Sequence, residues 1–429
     1  MRLDIENFAV IKKASIKLDG ITVIAGENNT GKSTVGKILS CIFNSMYQIE
    51  DEVECQKDER IMRILAYGFE QLRTEQEINS NVRRIPETQL PLRIRRKKYG
   101  ETVSELKHLS GEDRYTCIRQ LYESMNMGIV KPDFNKIVGE VVQKIDETLK
   151  ISDDVIVSTL VKNYFSNCFS KQINDAYAPE SKAVAELKIK GQQIKIEISP
   201  QNGIQIERGI SILHEAICID SPLVMDYINT WEYMDGLNMQ EEHLVKKLNE
   251  TPSRNVLEEI LVNTKLESIF RLLDSVTTGK IVRNEEGDFV LEDKDDITFN
   301  IQNLSMGIKA FSIIRMLLEN GTIKEKDILI LDEPEIHLHP EWQLVYAEII
   351  VLLEKYFDLT ILITTHSPYF LEAVETYAKK YEVTNNTNYY LTKREGQEVV
   401  VSDMTGQLEN VYRLLAEPFA KLESIQYSE

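Results

Sequence analysis

Residues 21–46 are the most restrictive stretch of the sequence. Ile21-Thr22-Val23-Ile24-Ala25 is a nearly unbroken apolar run that stops at Gly26, the pattern of a central parallel strand covered on both faces. From Ser33 onward the apolar residues fall at Val35, Ile38, Leu39, Ile42, Phe43 and Met46, the spacing of a helix that buries one side. Between them lies Gly26-Glu27-Asn28-Asn29-Thr30-Gly31-Lys32-Ser33, a loop short enough that strand and helix must follow each other directly. Strand, glycine-bounded loop and amphipathic helix commit this part of the chain to an α/β architecture.

The loop matches the phosphate-binding pattern GxxxxGK[ST] in full. Its glycines let backbone N–H groups turn inward around an anion, Lys32 places a positive charge at the β and γ oxygens, and the Ser33 hydroxyl can be offered to Mg²⁺. The helix that begins there adds the positive end of its dipole. Gly26, Glu27, Asn28, Asn29, Thr30, Gly31, Lys32, Ser33 and Thr34 are therefore the expected nucleotide contacts, with ATP and Mg²⁺ as the expected ligands. A second buried run, Ile328-Leu329-Ile330-Leu331, ends in Asp332-Glu333. A carboxylate at the end of such a strand can hold Mg²⁺ through water, the role assigned to Asp332 together with Ser33. Glu333, one residue on, stands where a general base could polarise an attacking water. Taken without the loop, Asp332-Glu333 would read as an acidic turn after a core strand.

The remaining pattern is consistent with a large head interrupted by an insertion. Alternation at Leu3, Ile5, Phe8 and Val10, then Ile16 and Leu18, predicts two short half-buried strands. Residues 51–180 are charged, largely helix-like and poor in motifs, and form the expected insertion between residues 1–50 and 181–429. Strand alternation returns between Glu186 and Ile206, punctuated by Gly191 and Gly203. A helical stretch follows Pro222 to about Leu273 with a break at Thr251-Pro252-Ser253. A hairpin is expected around Asn284-Glu285-Glu286-Gly287, then helix after Gly307. After the strand at residues 328–331 comes a helix with Trp342, Val345, Tyr346, Ile349, Ile350 and Leu353 on one side, a buried strand from Leu359 to Thr364, a hairpin around Lys393–Gly396, and a final helix through Val411, Leu414, Leu415, Phe419 and Leu422. No heptad run is long enough for an extended coiled coil.

The formal net charge of -19 argues against the whole surface binding a polyanion. The run Arg93, Arg95, Arg96, Lys97 and Lys98, with Arg83 and Arg84 upstream, reads either as a local nucleic-acid patch or as a solvated charged face. No signal-like or membrane-spanning run stands out, so the expected setting is cytoplasmic, away from membranes. Cys41, Cys55, Cys117, Cys168 and Cys218 are far apart and odd in number, as expected for reduced structural thiols.

Three further segments bring in a family. Asn303-Leu304-Ser305-Met306-Gly307-Ile308-Lys309 resembles the signature motif of ABC-type ATPases, Asp332-Glu333-Pro334-Glu335 their extended Walker B motif, and Thr365-His366-Ser367-Pro368 their switch-histidine loop, in the family's order. Ile336-His337-Leu338-His339-Pro340 resembles the ATPases of the OLD and related prokaryotic defence systems, a branch close to the SMC and DNA-repair ATPases. The resemblance covers Met1 to about Met46 and about Glu186 to the end. Met306 and Ile308 depart from the signature, where a glycine and a polar residue are usual. It implies an ABC-type ATPase head with mixed and antiparallel sheets, a P-loop core and an inserted, mainly helical domain. It also implies a head-to-tail dimer, with larger assemblies left open, in which Ser305 and Gly307 face the γ-phosphate of the opposite subunit and His366 senses the γ-phosphate on the catalytic side with Lys32 and Glu333. His337 and His339 could chelate a metal if extended, whereas the resemblance puts them in an interface loop. The Q-loop is not assigned; its place near Asp220-Ser221-Pro222 holds no glutamine.

Three functions fit these features. One is a sensor or scaffold of antiphage defence that controls a separate effector, a nuclease or toxin, because residues 367–429 are too few for the Toprim nuclease domain of OLD nucleases. A second is a DNA-repair or chromosome-maintenance ATPase that clamps DNA. A third is an ATP-bound interaction module with little turnover.

Overall fold

The computed structural model describes residues 1–72, 100, 102–124, 133–201, 203–230, 236–250, 256–277 and 279–426. Its strands are β1 (Arg2–Phe8), β2 (Ile11–Lys17), β3 (Ile21–Gly26), β4 (Ala183–Ile189), β5 (Gln192–Ser199), β6 (Gly203–Arg208) and β7 (Ala216–Ile219). They continue with β8 (Gly279–Arg283), β9 (Phe289–Asp293), β10 (Thr298–Asn300), β11 (Ile328–Asp332), β12 (Thr360–Thr365), β13 (Thr387–Glu395) and β14 (Glu398–Asp403). The helices are α1 (Lys32–Met46), α2 (Ile49–Leu72), α3 (Gly111–Ser124), α4 (Phe134–Leu149), α5 (Asp153–Cys168) and α6 (Met239–Leu248). After them come α7 (Val256–Val276), α8 (Met306–Glu319), α9 (Pro340–Phe357), α10 (Pro368–Lys380) and α11 (Leu408–Gln426). The chain divides into two compact units, Met1–Tyr47 with Val161–Glu429, and Gln48–Leu160.

The larger unit is built on an 11-stranded sheet in the order β6-β5-β4-β1-β2-β14-β13-β3-β12-β11-β7. One half, β13 through β7, is parallel. Parallel strands covered on both faces must be apolar along their length, and β3, β7 and residues 328–331 of β11 are buried throughout. The other half pairs β6, β5, β4, β1 and β2 antiparallel, with burial alternating along β4 and β5. Lys190 and Gly191, both at positive φ, make the tight turn between β4 and β5. The β13–β14 hairpin joins the two halves, since β13 pairs with β3 and β14 with β2.

Helix α1 packs over β7, β11 and β12, and at Gly36 a Cβ would stand 3.0 Å from Ile330 Cγ2, so the helix lies close on the sheet. On α8, Phe311 meets the ring edges of Trp342 and Tyr346 from α9 at 5.9 and 5.2 Å between centroids. The hairpin expected at residues 284–287 is β8–β9, extended by β10 into a small three-stranded sheet. The mixed and antiparallel sheets with flanking helices are the α/β class the sequence implies. The expected helix break at Thr251-Pro252-Ser253 lies outside the described residues.

The smaller unit is helical. Residues Ile61, Leu65, Ile118, Tyr122, Val138 and Ile145, from α2, α3 and α4, form its core. A Cβ on Gly68 would lie 2.4 Å from Val141 Cγ2, so α2 and α4 approach closely there. The Tyr122 hydroxyl donates to Leu65 O at 2.8 Å, satisfying a buried polar group.

At the start of β7, the half-buried carboxylate of Glu215 accepts from His243 Nε2 at 3.0 Å and pairs with Lys247 Nζ at 2.6 Å. Burial alone would raise its pKa, but these hydrogen bonds and charges override it and lower it from 4.5 to about 2. Because the folded pKa is depressed, the stabilisation is complete above the ordinary carboxylate pKa and is lost as pH falls toward 2. Glu215→Gln should therefore cost about 1–2 kcal/mol at pH 7. In urea unfolding at stepped pH the gap from wild type should narrow below about pH 4.5; a gap that stays constant down to pH 3 would rule the linkage out.

Candidate functional site

β3 ends at Gly26 and α1 begins at Lys32, so the chain reverses within residues 27–31. Gly26 and Gly31 have positive φ, 155° and 76°. A Cβ at Gly26 would collide with Thr392 Oγ1 at 2.1 Å, and one at Gly31 would press on Val10 and Ile11 at 3.0 Å. Thr30 Oγ1 donates to Glu27 O at 2.7 Å and shares a 2.6 Å hydrogen bond with Thr392, tying the loop to β13. Glu27, Asn28 and Asn29 form an exposed crest, and Thr34 is half-buried in the first turn of α1.

The Lys32 side chain is only 3% exposed. Its ammonium donates to Gly26 O at 3.1 Å and Glu27 O at 2.9 Å, and stands 3.3 Å from Glu333 Oε1. Ser33 Oγ donates to Asp332 Oδ1 at 3.0 Å. The two carboxylates singled out in the sequence thus meet the loop through different side chains, Asp332 through the hydroxyl and Glu333 through the ammonium. Thr364, on β12, donates its hydroxyl to Asp332 Oδ1 and accepts the Glu333 N–H at 3.0 Å. Glu333 holds φ 46°, a left-handed conformation unfavourable for a residue with a Cβ. This sharp turn releases it from the β11 direction.

His366 follows β12. Its Nδ1 lies 3.5 Å from Glu333 Oε2 and 4.0 Å from Glu335 Oε1, with the imidazole partly exposed. Glu335 is almost completely buried, and its Oε1 accepts from the Thr365 hydroxyl and, at 3.3 Å, from the His366 N–H. Burial raises the pKa of this carboxyl, against the opposing hydrogen bonds from Thr365 and His366. Ser367 caps α10 by accepting the Phe370 N–H at 3.2 Å, with Pro368 opening the helix, so His366 is clamped on both sides.

Asp220 follows β7, and its preceding residue Ile219 pairs with Leu331, so Asp220 comes level with Asp332. Its surface is open to solvent but protein surrounds it closely. Burial and then the Asp332 charge push its pKa up to about 6, with Lys37 pulling the other way. Ser33, Asp332 and Asp220 offer oxygen donors only, the chemistry a hard divalent cation takes. Among the described residues no group of three His, Cys, Asp or Glu is placed to hold a metal ion by itself.

Ser305 and Gly307 stand apart from this cluster, at the head of α8. Ser305 is exposed and accepts the Ile308 N–H at 3.4 Å as the helix cap. Gly307 is buried, and a Cβ there would fall 2.8 Å from the Trp342 ring. Packing within this chain is therefore already sufficient reason for the glycine. His337 and His339 are exposed, and His339 caps α9, accepting the Glu341 N–H at 3.4 Å. The basic residues Arg83, Arg84, Arg93, Arg95, Arg96, Lys97 and Lys98 lie outside the described residues.

Sequence reading missed Thr364, Thr392 and Asp220, and gave Glu335 no role. A serine or threonine across the sheet carries no local signature, but Asp220 stood in the segment where a Q-loop was sought.

A model of the AAA ATPase domain family matches residues 1–371 of the chain. The chain belongs to this family. The matched span includes the glycine-bounded loop of residues 26–34. Solved structures similar to the chain include the SMC head domain from Thermotoga maritima, 11% identical with a TM-score of 0.38, covering 94% of this chain and 97% of that one. An SmcHead bound to the C-winged helix domain of ScpA is 10% identical with a TM-score of 0.43, covering 95% and 98%. An Smc head domain with an extended coiled coil, bound to the C-terminal domain of ScpA derived from Pyrococcus furiosus, is 12% identical with a TM-score of 0.39, covering 97% and 98%.

Within this AAA ATPase domain, Thr364 links the two acidic residues to β12. Thr364→Val keeps the shape but removes a donor and an acceptor, and should lower stability by about 1–3 kcal/mol. It should also reduce ATP turnover more than it reduces binding of ATP, measured side by side by phosphate release and nucleotide titration. Unchanged turnover would show that Asp332 and Glu333 do not depend on it.

Proposed function

We propose that this chain binds ATP with Mg²⁺ at residues 26–34 and hydrolyses it as a head-to-tail dimer. In this reading it is the sensor or scaffold of a prokaryotic antiphage defence system and controls a separate effector, a nuclease or toxin. The observation that carries the chemistry is the meeting of Lys32, Ser33, Asp332, Glu333 and His366 around one loop, each within 3.5 Å of another member of the set. Membership of the AAA ATPase domain family supports the nucleotide as ligand.

In this mechanism the loop N–H groups and the N-terminus of α1 hold the phosphates, and Lys32 turns its charge to the β and γ oxygens. Ser33 and Asp332, with Asp220 beside them, would hold Mg²⁺, which neutralises charge on the β and γ oxygens when bound. Glu333 orients and deprotonates the attacking water, a role typically worth ~10²- to 10⁴-fold in rate. His366, partly exposed and facing Glu333, contacts the γ-phosphate. Ser305, exposed at the head of α8, reaches the γ-phosphate of the opposite subunit, and ATP shared between two copies would favour the closed dimer. No helix among the described residues is long and apolar enough to cross a membrane.

The defence setting is supported by the resemblance of residues 336–340 to OLD-type ATPases. Ile336 is 51% exposed, an apolar side chain set in the turn between Glu335 and the exposed His337.

Wild type, Lys32→Ala and Glu333→Gln should separate in two assays, ATP turnover and molar mass by light scattering with and without Mg-ATP. Wild type should hydrolyse, Lys32→Ala should neither bind nor hydrolyse, and Glu333→Gln should lose ~10²-fold or more in rate while gaining mass on ATP. The trapped Glu333→Gln form should then retain a separate effector protein. A wild type that neither turns ATP over nor changes mass would sink the ATPase-dimer reading.

A further inference from the structure

We propose that Tyr177 and Arg394 form the nucleobase side of the nucleotide site, with the Tyr177 ring as the stacking platform. This rests on the reading of residues 26–34 as the ATP loop. The direction of the bound nucleotide follows from sheet order. β12 and β11 flank β3 on one side and β13 on the other. Asp332, Glu333 and His366, the groups suited to a terminal phosphate, all emerge from β11 and β12. A triphosphate held by the loop with its γ end toward them must carry its nucleoside toward β13.

On that side Thr392 is paired with Gly26, and Arg394 lies two residues further along β13, beyond the end of β3. Arg394 Nη2 donates to Asn29 O at 3.1 Å, which sets the guanidinium on the exposed crest of the loop. Its Nη1 donates to the Tyr177 hydroxyl at 3.4 Å. Crest, guanidinium and phenol therefore form one continuous row leading away from the phosphates.

Tyr177 does not hang free in this row. The Ala176 N–H donates to Ala9 O at 2.8 Å, and the Tyr177 N–H to Asp175 Oδ1 at 2.8 Å, so its backbone is fastened to the β1–β2 turn that also buttresses Gly31. Yet the side chain is 52% exposed. A fixed backbone presenting a large aromatic surface to water suits a flat apolar ligand, because rigidity reduces the ordering cost of binding. Base–aromatic stacking tolerates any nucleobase, and a neighbouring guanidinium adds its own stacking plane and charge.

The test compares ATP with inorganic triphosphate, which has the phosphates and no base. The full chain carrying Glu333→Gln, so that ligand is not consumed, is titrated with each in Mg²⁺, alone and with Tyr177→Ala or Tyr177→Phe added. Tyr177→Ala should weaken ATP about tenfold or more and leave inorganic triphosphate unchanged, while Tyr177→Phe should retain most ATP affinity. Equal losses for both ligands would make Tyr177 a mere support of the loop, and no loss for either would remove it from the site; both overturn the subsite. If the parent chain binds inorganic triphosphate as tightly as ATP, no base is recognised and the subsite is overturned while the loop reading stands. If it binds neither, the ATP reading fails and this inference with it.

Discussion

The parallel pairing of β3, β12, β11 and β7 is the constraint from which the site follows. Strands covered on both faces cannot leave N–H and C=O groups to water, so every one must find its neighbour and the register is fixed. Here Ala25 pairs with Thr365, Thr364 with Asp332, and Leu331 with Ile219. The chain segments leaving these strands at that end are the glycine loop, Glu333, His366 and Asp220. A slip of one residue would turn the side chains of a strand to the opposite face. The 3.0 Å bond from Ser33 to Asp332 is thus a consequence of sheet register as much as of either residue.

That geometry gathers carboxyl groups where a stable fold on its own would not put them. Asp220, Asp332, Glu333 and Glu335 differ in surroundings, and the surroundings separate their roles. Asp332 is bound by two hydroxyls, Ser33 and Thr364. Glu333 lies between the Lys32 ammonium and the His366 ring. Glu335 is sealed in and holds the backbone before His366, a positioning part of the cluster. Asp220 crowds Asp332, an arrangement eased by a proton or a cation. Strain is accepted too, in the left-handed Glu333.

What could be read from the sequence was whatever is local along the chain. The apolar run ending at Gly26, the helical spacing after Ser33 and the run ending at Asp332-Glu333 each carry their meaning within a few neighbours. So do the hairpins around Gly191, residues 284–287 and residues 393–396, where turn residues interrupt alternation. β7 was illegible because its four residues are too few to show a period, and with it Asp220 went unassigned. Thr364, Thr392 and Arg394 matter only through partners across the sheet, which no spacing reveals. Gly307 shows the converse. The signature resemblance gives it a nucleotide to face, while Trp342, from a helix that follows far along the chain, gives it a packing reason invisible in the motif.

Helix α8 and the carboxylate cluster are nonetheless linked, through a short turn and one ion pair. After Asp220, Ser221 caps the six-residue 3₁₀ turn Pro222–Tyr227 by accepting the Leu223 N–H at 3.3 Å. That turn carries Asp226, which accepts from the buried Lys309 ammonium of α8 at 2.6 Å. Lys309 also reaches Gln302 O at 3.4 Å, bracing the segment that leads to Ser305. A pair with one fully buried cation is costly to break, since the remaining charge would be left without its partner. Asp220 and the segment that leads to the Ser305 cap of α8 are thus linked through the turn at residues 222–227 and the Asp226–Lys309 pair.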